Sequence, residues 1–259
     1  MLYVCIPAYN EAPTIGVLLW RIRKMFQEYT REYEILVYDD GSTDATREVL
    51  ASYEEVLPLT ILESTGHRGY AAAVDALVRA ANKATRYPRR DAVVLMQADF
   101  TDQPEHIPEL VKRFEGGADV VVAERAAEAF GVAAPPPVRR LQQVAPWVLK
   151  PFVRLPGVRD PFGTFRLYRI SLLRDLIKQA GDEPLVRADG WAANVELLMA
   201  SAPLARRVET VELAPRWDVR PRETRRRPWA DAMSLFHFGR SARRTQRARP
   251  APPAEAPTP

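Results

Sequence analysis

The first 125 residues alternate between two hydrophobic periods, and that alternation narrows the fold to one class. Leu2 to Ile6, Glu34 to Tyr38, Leu59 to Leu62, Ala92 to Met96 and Ala118 to Ala123 are short, nearly continuous apolar runs of strand length. The stretches between them change to helical spacing. Thr14 to Phe26 places Ile15, Leu18, Leu19, Ile22 and Met25 on one helical face, with Pro13 in the first turn, where a missing N–H costs nothing. Ala45 to Ser52, the Ala-rich Tyr70 to Ala84 and Ile107 to Phe114 follow the same pattern. Strands that lack polar alternation need cover on both faces, so the repeated β-α-β order predicts an α/β fold: a mostly parallel, mixed sheet flanked by helices.

The order changes after Arg125. Residues 126–161 contain Pro135, Pro136, Pro137, Pro146, Pro151 and Pro156, which limit this part to loops and short helices. Within it, Val144, Trp147, Val148, Leu149, Phe152 and Val153 are flanked by Arg139, Arg140, Lys150 and Arg154, a composition that suits a lid on its own domain or an anionic membrane surface. A strand at Phe165 to Ile170, helices at Ser171 to Gln179 and Trp191 to Ala200, and a strand at Arg207 to Leu213 complete the expected fold. We expect one domain over 1–239, with halves at 1–125 and 126–239 and the Pro-broken lid at 126–161. The end, 240–259, is basic and then almost wholly Pro, Ala, Glu and Thr, which predicts a disordered tail.

Composition excludes several classes. A chain of 259 residues with 47% hydrophobic content buries a substantial core, and no run approaches the ~20 apolar residues of a membrane span. The start runs from Met1 directly into a strand-like segment without a basic leader, so the expected location is cytoplasmic. A single Cys, Cys5, sits inside an apolar run and reads as a small core residue. The net charge of +4 is concentrated in Arg216 to Arg249, which suits lipid phosphate, a pyrophosphate, nucleic acid or plain solvent.

Three polar segments occupy strand ends: Ile6-Pro-Ala-Tyr-Asn-Glu11, Asp39-Asp-Gly-Ser-Thr-Asp44 and Gln97-Ala-Asp-Phe-Thr-Asp-Gln-Pro-Glu105. Ligands of open α/β sheets bind at such C-terminal strand ends. Taken alone, the second segment is ordinary turn chemistry, with Gly41 in the turn and Ser42, Thr43 or Asp44 able to cap a helix. Two consecutive carboxylates exceed what a turn needs, and one can accept from a base N–H or a ribose hydroxyl. Tyr9 and Glu11 add a stacking ring and another acceptor on the same edge.

With these residues in view, the chain resembles an inverting family 2 glycosyltransferase with the type A nucleotide-sugar fold, a Rossmann-like arrangement. Within that family it is similar to polyprenyl-phosphate mannose and glucose synthases over roughly Met1 to Trp217. The P-A-Y-N-E pattern is matched by Pro7, Ala8, Tyr9, Asn10 and Glu11, and D-D-G-S-x-D by Asp39, Asp40 and Asp44. A Gly-rich turn is matched loosely by Gly66, Arg68 and Gly69, and an Arg after the next strand by Arg125. Asp160 to Arg169 resembles the acceptor segment D-x-x-S-G-F-R-L-Y-x-R, with Gly163-Thr164 in place of S-G. Gly190-Trp191 with Glu196 resembles a later G-(F/Y)-x-x-x-x-E helix.

The resemblance implies a nucleotide-sugar site formed by Pro7, Ala8, Tyr9, Glu11, Asp39, Asp40, Gly69, Gln97, Ala98, Asp99, Arg125 and Arg222. It implies Mg or Mn at Asp99, Gln97 and Thr101. The family reads D-A-D-L-Q at its metal segment and this chain reads Q-A-D-F-T, so a neutral amide replaces one carboxylate. Asp102 and the donor pyrophosphate are replacement oxygens. Arg220-Pro-Arg222-Glu-Thr-Arg225 stands where the family has R-x-x-G-x-S-K, as a phosphate contact or a basic surface.

The implied reaction moves a sugar from a UDP- or GDP-sugar to a polyprenyl phosphate or a glycan. Asp99 is then the catalytic metal ligand and Arg166 an auxiliary cation, with Arg125 or Arg222 in the same capacity. A hydroxyl acceptor requires Glu196 or Asp189 as base, whereas an ionised phosphate requires none. A lipid acceptor implies peripheral attachment to the inner membrane face. Three rivals are weighed against this reading. One is a catalytically degenerate relative that binds a nucleotide-sugar or a partner. Another is a sugar-phosphate nucleotidyltransferase, disfavoured because Pro7-Ala8-Tyr9 replaces a Gly-rich basic loop. The third is a nucleic-acid-binding protein using the Arg-rich end.

Overall fold

A computed structural model of the chain describes residues 1–125, 155, 157–161, 163–188 and 190–213. Seven strands, β1 (Leu2–Ala8), β2 (Tyr33–Asp39), β3 (Leu59–Glu63), β4 (Ala92–Leu95), β5 (Val120–Arg125), β6 (Arg166–Arg169) and β7 (Val208–Leu213), form one sheet in the order β3-β2-β1-β4-β6-β5-β7. Among the described residues the α-helices are α1 (Ala12–Glu28), α2 (Thr46–Glu54), α3 (Tyr70–Ala84), α4 (Ile107–Glu115), α5 (Ile170–Ala180) and α6 (Trp191–Ser201). The mostly parallel, mixed sheet expected from the sequence is present, and each element lies within a few residues of its expected bounds. The lid reading of 126–161 rests almost wholly outside the described residues, as do the Arg-rich stretch and the tail.

Period-two alternation splits the core into two layers. Leu2, Val4, Ile6, Ile35, Val37, Val94 and Leu167 face α1, α2 and α4, where Ile15, Leu18, Leu19, Ile22, Leu50, Leu110 and Phe114 meet them. Tyr3, Cys5, Leu36, Val93, Leu95, Val122 and Tyr168 face the other layer, built from α3, α5 and α6. Ala71, Ala73 and Ala81 of α3 are buried there; their small side chains let this helix lie close to the sheet. Cys5 is fully buried and burial pushes its thiol well above the usual range, in keeping with a purely packing role.

One feature of the topology was not expected. β6 runs antiparallel to both β4 and β5 and is inserted between them. Its first residue, Arg166, therefore lies beside Leu95 at the end of β4, on the same edge as the C-terminal ends of the parallel strands. On that edge β1 has β2 on one side and β4 on the other. This is the point where strand order reverses, the usual ligand crevice of an open α/β sheet.

Candidate functional site

The first two polar segments interlock. Asn10 adopts a left-handed backbone (φ 52°), which asparagine tolerates better than most residues. Its Oδ1 accepts the N–H groups of Thr43 (2.7 Å) and Asp44 (3.3 Å), and its own N–H donates to Ser42 Oγ (2.9 Å). The Glu11 N–H donates to Thr46 Oγ1 (2.7 Å), and Glu11 Oε2 accepts the Thr14 hydroxyl (2.8 Å). Asp44 accepts the N–H of Ala12 (3.2 Å) and of Thr46 (3.0 Å). Of the three residues read as possible caps for α2, Asp44 is the one that holds its first turn, although Ala45 occupies the cap position. The turns after β1 and β2 are thus one hydrogen-bonded unit.

The two consecutive carboxylates have separate work. Asp39 Oδ1 closes its own turn by accepting the Ser42 N–H (3.0 Å), and its Oδ2 has the Arg47 guanidinium at 3.8 Å. Asp40 accepts the N–H groups of Arg68 (2.7 Å) and Gly69 (2.8 Å) and pairs with His67 Nδ1 (2.8 Å). The second carboxylate therefore holds the loop 64–69 that follows β3. Gly41 makes this possible: its φ is 71°, and a Cβ there would meet the Gly66 backbone at 2.7 Å. Above the loop, the rings of Tyr9 and His67 stack with centroids 4.1 Å apart and planes 27° apart. The sequence around His67, with its flanking glycines and Arg68, carries no local pattern that points to this ring pair.

The third segment lies on the other side of β1. Phe100 carries φ 63°, a conformation costly for an aromatic residue and often kept at functional sites. Gln103 Nε2 steadies it by donating to the Phe100 carbonyl (2.6 Å). Asp99 Oδ1 accepts the Thr101 N–H (3.1 Å) and hydroxyl (2.6 Å), which brings together two of the three expected metal ligands. Gln97, the third, is half-buried. Asp102 is buried, and its Oδ2 accepts both the Gln97 N–H (2.9 Å) and the Thr164 hydroxyl (2.9 Å), so it ties this segment to the stretch before β6.

Among the described residues, no group of three or more His, Cys, Asp or Glu side chains could hold a metal ion. Asp99, Gln97 and Thr101 offer hard oxygens, only one residue among them charged. Such a set fits a divalent Mg or Mn ion when a ligand adds anionic oxygens of its own, since these cations commonly share their shell with phosphate.

Behind the edge lies a buried polar cluster. Arg166 is 1% exposed; its guanidinium donates to the carbonyls of Pro161 and Asn194 and to Tyr168 Oη (3.3 Å). Tyr70 Oη donates to Asn194 Oδ1 (2.9 Å), and its phenol is pushed well up, by burial first and by the nearby Asp102 charge second. Arg166 thus clamps backbone carbonyls from two segments.

Glu124, buried near the end of β5, accepts the N–H groups of Arg159 (2.5 Å) and Asp160 (3.3 Å) and positions the start of the acceptor-like segment. Glu196 Oε2 accepts the N–H groups of Arg187 and Ala188, each at 2.8 Å, and so organises the loop leading to position 189. Pro7 and Ala8 finish β1, Ala98 is buried beside Asp99, Gly69 (φ 92°) precedes α3, and Arg125 ends β5. Asp189 and Arg222 fall outside the described residues.

The chain is 35% identical over 123 residues to an undecaprenyl-phosphate 4-deoxy-4-formamido-L-arabinose transferase of Photorhabdus laumondii, covering 48% of this chain and 36% of the relative. It is 31% identical over 157 residues to a dolichol-phosphate mannosyltransferase of Pyrococcus furiosus, covering 61% and 42%. The matches thus span well under half the length of these curated relatives. Among solved structures, the glucosyl-3-phosphoglycerate synthase of Mycobacterium tuberculosis, in complex with Mn2+, UDP and phosphoglyceric acid, superposes with a TM-score of 0.63 at 19% identity, covering 96% of this chain and 79% of that one. The glycosyl transferase family 2 profile matches residues 3–177, and the chain belongs to that family.

Proposed function

We propose that the chain is an inverting glycosyltransferase that moves a sugar from a UDP- or GDP-sugar to a polyprenyl phosphate. The observation that carries this reading is the meeting of the three polar segments on the two sides of the C-terminal end of β1. Tyr9, Glu11, Asp39, Asp40 and Gly69 lie on one side, suited to a nucleoside, and Ala98, Asp99 and Thr101 on the other, suited to a diphosphate. Relatives named for undecaprenyl-phosphate and dolichol-phosphate transfer favour a lipid-phosphate acceptor.

The acceptor oxygen attacks the anomeric carbon opposite the diphosphate, and the new C–O bond forms as the bond to the diphosphate breaks, which inverts the configuration. An ionised phosphate oxygen needs no base. That matters here because Glu196, one of the two candidate bases, already holds two backbone N–H groups. Arg125 and Arg222 are the cations assigned to the departing diphosphate, and buried Arg166 positions the acceptor segment. When bound through Asp99, Gln97, Thr101 and the diphosphate, Mg or Mn would supply Lewis-acid stabilisation of the leaving group.

No described helix is long and apolar enough to cross a membrane. The proposed lipid acceptor places the reaction at the cytoplasmic membrane surface, with peripheral attachment.

A screen of UDP- and GDP-sugars with purified protein and a short polyprenyl phosphate tests the reading. Transfer from at least one donor with inverted anomeric configuration is expected; absence of UDP and GDP binding would sink it. Gln97 favours one second reading, a nucleotide-sugar-binding relative without turnover. Tight nucleotide binding that ignores Mn2+, with neither hydrolysis nor transfer for any donor, would establish that alternative.

A further inference from the structure

We propose that His67 occupies the nucleobase position at Tyr9 and is exchanged for the base when a nucleotide binds. The inference rests on the nucleotide-sugar reading of the site and adds an occupant that must leave. Three observations meet at this residue. The imidazole lies stacked against the Tyr9 ring at 4.1 Å, the separation and near-parallel geometry that a nucleobase would adopt there. Asp39 and Asp40 are 1% and 3% exposed, so neither carboxylate meets solvent in this arrangement. A base N–H or ribose hydroxyl can reach them only after a covering group moves. His67 is such a group: its side chain is 55% exposed, yet its Nδ1 lies 2.8 Å from Asp40 Oδ2.

The loop is built so that this side chain can leave without the backbone following. Asp40 grips the N–H groups of Arg68 and Gly69 independently of the imidazole. Gly41 packs directly on the Gly66 backbone. The departing ring therefore uncovers one face of Tyr9 and one oxygen of Asp40 together, a stacking surface and an acceptor on the same side of the crevice. Rotation about the His67 side-chain torsions suffices, as expected of an exposed residue.

Exchange has a measurable cost. An exposed aromatic stack and a polar contact to Asp40 together are worth enough that removing them should tighten nucleotide binding about three- to tenfold. Calorimetric titration of the full chain with UDP and with GDP, for the wild type, His67→Ala and His67→Asn, reads this directly. Asparagine keeps a donor for Asp40 but removes the ring.

Both variants should bind the nucleotide that the wild type prefers more tightly, with His67→Ala gaining at least as much as His67→Asn, which still presents a donor to Asp40. In the wild type, the His67 ring proton signals should lose their upfield ring-current displacement on saturation with nucleotide. Equal or weaker nucleotide binding by His67→Ala, or ring signals that keep their displacement, would overturn the exchange while leaving the nucleotide site standing. If neither nucleotide binds the wild type or the variants, the site reading itself fails and the exchange with it.

Discussion

Replacing Asp102 should loosen the third polar segment from the stretch before β6. One oxygen of this carboxylate, 8% exposed as a residue, accepts the Gln97 N–H and the Thr164 hydroxyl, both at 2.9 Å. Hydrogen bonds to an ionised group are worth about 1.5–3 kcal/mol each, so these two together are worth about 3–6 kcal/mol. Gln97 is half-buried and its N–H can recover a water, which brings the expectation for Asp102→Ala to about 3 kcal/mol. Asp102→Asn keeps the shape and an acceptor oxygen but loses the charge, and should cost about 1–2 kcal/mol. Thr164→Val removes the second donor and should cost about 1 kcal/mol.

Urea unfolding followed by far-ultraviolet circular dichroism measures all three, provided the slope with denaturant stays constant. The double variant Asp102→Ala/Thr164→Val should show a coupling of about 1 kcal/mol, since each change removes the same bond. An Asp102→Ala protein within about 0.5 kcal/mol of the wild type, or fully additive effects in the double variant, would refute the assigned role.

Other expectations concern charge, metal and backbone. Burial alone would raise the Asp119 carboxyl, but hydrogen bonds from Arg206 and Arg169 outweigh it and hold it below its ordinary 3.8. With the folded value depressed, the stabilisation is present at neutral pH and lost as pH falls through that value, so the stability gap between wild type and Asp119→Asn should close below about pH 4. Gln97→Asp adds a second charged oxygen beside Asp99 and should tighten Mn2+ binding in the presence of UDP at least about tenfold by calorimetry; an unchanged affinity would mean that position 97 does not meet the ion. Gly41→Ala forces a Cβ to within 2.7 Å of the Gly66 backbone at φ 71° and should lower unfolding stability by about 2 kcal/mol or more while weakening nucleotide binding; a fully stable variant with normal affinity would contradict the assigned packing.

The layered fold was legible because local periodicity carries it. Ile15, Leu18, Leu19 and Ile22 announce a helix, and Leu2 to Ile6 a doubly covered strand, without help from distant residues. The direction and place of β6 were not legible, because they depend on how the long Pro-broken connection returns the chain to the sheet. The same distinction divides the site. IPAYNE and DDGSTD are read as contiguous letters, but the bonds that join Asp102 to Thr164 and Tyr70 to Asn194 link residues 62 and 124 positions apart.

The burial of Arg166 has a signal in the sequence. In a strand, residues two apart share a face, and Tyr168 is a core residue, so the guanidinium belonged to the buried side from the start. Glu124 carries a similar signal, a carboxylate following the apolar run Val120 to Ala123. His67 carried none, since a stacked ring pair formed by residues 58 positions apart leaves no local pattern.

The way the loop after β3 is held has a consequence for how this protein can change. Backbone amides on Asp40 and the bare contact between Gly41 and Gly66 fix its path, and neither depends on which side chain stands at position 67. Position 67 is in effect a socket: its occupant can be swapped by a single substitution without disturbing the scaffold around it. A saturation library there, selected separately on uridine and guanosine donors, would show whether base preference in this chain is set by one exchangeable residue.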